Sequence, residues 1–83
     1  MKNVERIIKQ IATENFKLYP ECYPINNNRT ATDEATENVK ELAKGYFRER
    51  NDFEIERDEK AGITEEDYIE WVKEAFELLI VTK

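Results

Sequence analysis

The chain has 83 residues, of which 40% are hydrophobic, 39% charged and none histidine, and its formal net charge is −6. This length predicts one domain spanning 1–83, and the missing histidine removes His-based general acid/base catalysis, nucleophile triads and most transition-metal sites. The carboxylate excess argues against direct binding of nucleic acid or of an anionic membrane surface, since both need a basic face.

The first predicted helix runs from Asn3 to Tyr19. Val4, Ile7, Ile8, Ile11 and Ala12 recur at i, i+3, i+4 and i+7, and Phe16 and Tyr19 extend this core stripe. Asn3 is the candidate N-cap, Glu5 suits the positive end of the helix dipole, and Pro20 stops the helix. The charged N-terminal stretch has no apolar h-region and reads as no signal peptide. Residues 20–31, PECYPINNNRTA, form a long first loop, because two prolines and three asparagines disfavour regular structure. Tyr23 and Ile25 are expected to pin it to the core. The single cysteine, Cys22, cannot form an intramolecular disulfide. It fits a reducing, cytoplasmic setting and is read as a loop residue packed beside Tyr23. The acceptor triplet Asn28-Arg29-Thr30 is idle without secretion.

The second helix begins near Thr30 or Thr32, with Thr30 and Asp33 forming a weak capping-box match, and runs to about Arg50. Ala35, Val39, Leu42, Ala43, Tyr46 and Phe47 make its core stripe. Gly45 sits inside it, where it permits close packing or is merely tolerated. Arg48 and Arg50 read as partners of the C-terminal dipole. The run Asp52-Phe53-Glu54-Ile55-Glu56 alternates polar and apolar residues. Residues 51–63 are therefore read as an extended connector, a short strand if paired, that tucks Phe53 and Ile55 into the core. A continuation of the second helix is the competing reading.

The stretch ERDEKAGITEEDY, 56–68, resembles a calcium loop at first sight. With Gly62 at the loop's sixth position, Arg57, Ala61 and Tyr68 occupy positions that require oxygen ligands; with Ile63 at the eighth, Lys60 does. No metal and no other cofactor is expected. The same residues fit helix punctuation better. Thr64 and Asp67 form a capping box, Ile63 and Tyr68 a hydrophobic staple, and Gly62 reverses the chain. The third helix then runs from Glu65 to about Val81, with Tyr68, Ile69, Val72, Ala75, Phe76 and Leu79 as its stripe. The expected fold is all-α: a small three-helix bundle with a long first loop and an extended connector before the third helix.

No catalytic residue is assigned. Cys22 lacks an activating base, and the only glycines, Gly45 and Gly62, build no phosphate loop. The chain is expected to be a non-enzymatic interaction or regulatory module acting through its third helix. Trp71 and Leu78 lie at the edge of the core stripe and are candidate partner-binding residues. Glu66, Glu70, Glu74 and Glu77 form an acidic row that suits a basic partner surface. Apolar docking and self-association are the other partner modes, and mimicry of nucleic acid to block a DNA- or RNA-binding protein is the alternative function. In size and charge the chain resembles the small acidic accessory proteins of phages and conjugative elements.

Overall fold

The computed structural model describes residues 2–28 and 30–82, so Arg29 of the acceptor triplet lies outside it. Among the described residues there are four α-helices: α1 (Lys2–Leu18), α2 (Asp33–Arg48), α3 (Asp52–Ala61) and α4 (Glu65–Thr82). No described residue belongs to a strand, and no helix of the described residues is long and apolar enough to cross a membrane.

The central element is α4, and α1 and α2 each pack along it. Ile8 lies by Tyr68 and Phe16 against Phe76, so α1 runs in the same direction as α4. Phe47 meets Tyr68 edge-on while Val39 lies by Phe76, so α2 runs the opposite way. The core comes from Val4, Ile8, Ala12 and Phe16 of α1, Ala35, Val39 and Ala43 of α2, and Tyr68, Val72, Ala75, Phe76 and Ile80 of α4. Each large apolar side chain in this set contributes about 1.5–3 kcal/mol on burial. Alanines at 12, 35 and 43 are fully buried and let the helices approach closely.

On α1 the structure narrows the expected stripe. Val4, Ile8, Ala12 and Phe16 are buried, whereas Ile7 (45% exposed), Ile11 (46%) and Tyr19 are not. A helix touching one neighbour buries only a narrow arc, and the predicted stripe was wider than that arc. Asn3 is no N-cap, because the helix already includes Lys2.

The loop behaves as expected at two positions: Tyr23 is buried against Phe16 and Phe76, and Ile25 packs on the core. The Tyr23 hydroxyl donates to Asn15 Oδ1 at 3.0 Å. Cys22, however, is exposed rather than packed. The N-cap of α2 is Thr32 and not Thr30. Its Oγ1 accepts from Ala35 N–H at 3.1 Å and donates to the Pro24 carbonyl at 3.0 Å, joining helix and loop.

Residues 52–61 overturn the extended connector. They form α3, a helix separate from α2. The alternation at 52–56 has no buried face to serve, since Phe53 is 75% exposed. Local chemistry sets both ends instead. At the start Asn51 and Glu54 form a full capping box: Glu54 N–H donates to Asn51 Oδ1 at 2.8 Å, and Asn51 N–H to Glu54 Oε1 at 3.0 Å. At the end Gly62 adopts φ +73°, with Ile63 N–H bonded to the Asp58 carbonyl and Gly62 N–H to that of Glu59. This pair of bonds is a Schellman motif, and its left-handed residue favours glycine.

The start of α4 follows the predicted punctuation in part. Asp67 Oδ2 accepts from Thr64 N–H at 2.8 Å, and Ile63 and Tyr68 are both buried. The Thr64 hydroxyl donates to Asp67 Oδ2 at 3.3 Å instead of accepting from the helix, so one arm of the box is made.

Candidate functional site

Two features stand apart from the apolar core. The first is a charged clasp. Asp58 is fully buried and is the sole buried residue of α3. Its Oδ2 accepts from Tyr68 Oη at 2.6 Å and Arg50 Nη1 at 3.0 Å, and its Oδ1 accepts from Arg57 Nε at 2.9 Å. Burial alone pushes this carboxyl up, but the hydrogen bonds from Arg57, Tyr68 and Arg50 outweigh it and hold the group below its ordinary value. Burial, then the bond to Asp58, push the Tyr68 phenol up to about 12. Arg50 is fixed further by its Nε bond to the Phe47 carbonyl at 2.7 Å, and its guanidinium lies 3.6 Å from the Phe47 ring centroid. Arg50 thus serves the end of α2, as expected, and also ties it to α3, while the Tyr68–Asp58 bond ties α3 to α4. Within this chain both Asp58 oxygens have partners, so the cluster reads as a structural clasp.

The second feature is a groove. Both α1 and α2 pack on α4, and a cavity of about 310 Å³ opens between them, lined by Ile8, Ile11, Gly45, Tyr46, Glu49, Arg50, Glu54 and Tyr68. On α1 it is lined by Ile8 and Ile11; Ile7 and Leu18 are exposed on the same helix, spaced i and i+11, and Leu18 is 69% exposed. On α2 and its C-terminal end it is lined by Gly45, Tyr46, Glu49 and Arg50, and further toward the start of α2 the Asn38 side chain donates to the Cys22 carbonyl at 2.6 Å, so the short 3-10 turn Pro20–Cys22 lies against α2 there. A Cβ at Gly45 meets nothing closer than a Glu49 carboxylate oxygen at 3.9 Å, so this glycine serves no close helix contact. The Tyr46 hydroxyl is buried without a hydrogen-bond partner among the described residues, and burial pushes its phenol up to about 12.

The residues singled out on the last helix are dispersed. Trp71 is half-buried and lies beside the Tyr68 ring, with centroids 5.8 Å apart. Leu78 is 65% exposed on a patch bordered by Arg6, Gln10, Thr13 and Glu14 of α1. Glu74 pairs with Lys9 Nζ at 2.9 Å, and Lys9 also holds Glu5 at 2.6 Å. Glu66 and Glu77 line a cavity of about 370 Å³ between α2 and α4, together with Lys40 and Lys73. Glu70 is exposed on the same side of α4.

Sequence reasoning passed over the groove because Ile7 and Ile11 were assigned to the core stripe. The signal that could have found it is the excess width of that stripe, which is too broad for contact with one helix. No known protein family matches the chain, and neither a curated protein nor a solved structure is similar to it.

Proposed function

We propose that this chain is a non-enzymatic interaction module that docks a protein partner in the groove between α1 and α2. The observation that carries this reading is the set Ile7, Ile11 and Leu18, large aliphatic side chains of α1 each nearly half or more exposed, of which Ile11 lines the cavity. Exposed large aliphatic side chains beside a cavity are a candidate binding face. In the groove floor the Tyr68 hydroxyl donates to Asp58 and accepts from Arg57.

Mimicry of nucleic acid draws less support. Lys9, Lys40 and Lys73 interleave with Glu66, Glu74 and Glu77, so that surface is mixed in sign.

The test is affinity capture from the native host with three forms of the chain: wild type, the double variant Ile7→Glu/Ile11→Glu, and Leu78→Glu. Circular dichroism checks that all three are folded. Loss of the same co-purified protein from the double variant alone supports the groove. Loss only with Leu78→Glu moves the docking face to α4, and equal capture by all three rejects both faces.

A further inference from the structure

We infer that α3 is a strap that opens as a unit when the Asp58 clasp lets go, while α1, α2 and α4 stay packed. The inference goes beyond the docking reading and does not depend on it.

The three long helices hold one another through apolar faces, but among the described residues α3 packs along none of them. Its sole buried residue is a carboxylate, Asp58. Of its apolar residues, Phe53 is 75% exposed and Ile55 is no part of the core; Ala61, at the last position, packs against it. The capping box at its start and the Schellman bonds at its end join residues 51–63 to one another and not to the bundle. The clasp itself divides across an opening. Arg57 belongs to α3 and travels with Asp58, whose Oδ1 it holds at 2.9 Å. Arg50 and Tyr68 stay with the bundle: Arg50 is fixed by the Phe47 carbonyl and ring, and the Tyr68 ring lies against Phe47 and Trp71. The attachment therefore rests on two bonds to one oxygen, Asp58 Oδ2, from Arg50 at 3.0 Å and Tyr68 at 2.6 Å, with a longer bond from Arg57 Nη2 to the Tyr68 hydroxyl at 3.3 Å.

Segments with few buried apolar contacts open at lower free energy than the core, and water replaces polar bonds at small net cost. The other helices bury apolar area that only wider unfolding exposes. A free helix of 10 residues is marginal in water, so the released α3 unwinds between its anchors, Phe47 on one side and the buried Ile63 on the other. Opening takes Glu54 out of the groove lining and leaves Arg50 and Tyr68 at that end of the cavity without Asp58. The strap thus sets the shape and charge of one end of the groove.

The test is residue-resolved amide hydrogen exchange, followed by NMR on the full chain at low urea, for wild type, Ile80→Val and Tyr68→Phe. In the wild type, the helical amides of residues 56–61 should exchange at least about tenfold faster than the slowest amides of α2 and α4, after correction for intrinsic rates, and with a weaker urea dependence. Ile80→Val trims the core at the end of α4 away from the clasp. It should speed the slowest core amides about two- to tenfold and leave residues 56–61 unchanged. Equal acceleration of both sets means that α3 opens only when the whole domain unfolds, and it overturns the inference. Tyr68→Phe should speed residues 56–61 by about tenfold or more. Unchanged rates there mean that α3 frays independently of the clasp, which overturns it as well. Neither result bears on whether a partner docks between α1 and α2.

Discussion

Replacing Tyr68 with Phe removes one oxygen from the buried clasp and nothing else. The ring keeps its edge contact with Phe47, at 5.2 Å between centroids, and its place beside Trp71. What is lost is the 2.6 Å bond to Asp58 Oδ2 and the 3.3 Å bond from Arg57 Nη2. A hydrogen bond to a charged group is worth about 1.5–3 kcal/mol. Asp58 Oδ2 retains Arg50, so it is not orphaned, and a loss near the lower end, about 1.5–2 kcal/mol, is expected. A domain of this length has roughly 4–12 kcal/mol in total. The melting temperature should therefore fall by about 6–16 °C, at roughly 4–8 °C per kcal/mol. Trp71 is the only tryptophan and lies beside Tyr68, so urea unfolding followed by its fluorescence reads the change directly. The sign of the pH dependence follows from the directions of the shifts. The Asp58 carboxyl is held low in the folded chain, so its contribution is present above about pH 4 and is lost as pH falls through its folded value. The Tyr68 phenol is held up near 12, so its contribution is present below about pH 10 and is lost as pH rises toward 12. The gap between wild type and Tyr68→Phe should thus close at both extremes. A gap under about 0.5 kcal/mol at pH 7, or one of constant size across pH, refutes the clasp.

The two glycines should respond with opposite signs. Gly45→Ala lies in a helix interior with room for a methyl group, and should raise stability by about 0.5–1 kcal/mol in thermal unfolding. Gly62→Ala must adopt φ +73° and should lower stability by about 1–2 kcal/mol, read the same way. At the start of α4, Asp67→Ala removes both bonds to Thr64 and should cost about 1 kcal/mol in urea unfolding, more than Thr64→Ala, which leaves the 2.8 Å backbone bond in place.

The all-helical class and the start of the last helix at Thr64 were legible because each rests on local spacing or local capping. The pinned loop was legible too, through Tyr23 and Ile25 standing among polar neighbours. α3 was missed although both of its signals were present, Asn51 with Glu54 at the start and Gly62 at the end. The alternation of Phe53 and Ile55 outweighed them, and it carried no tertiary meaning because Phe53 points to solvent. Asp58 could not be found from the sequence. It is one acid among many, and only the fold brings Arg50, Arg57 and Tyr68 onto it. The groove was hidden for a related reason: periodicity marks an apolar face on α1 but does not say how much of that face the neighbouring helices cover.

The docking surface is tested most directly by hydrogen–deuterium exchange on the wild-type chain, alone and saturated with the protein it captures from its host. Added protection of residues 4–18 of α1 and 38–50 of α2 and its C-terminal flank, with α4 unchanged beyond Tyr68, is the predicted result. Protection confined to residues 66–78 of α4, with α1 exchanging as in the free chain, contradicts it.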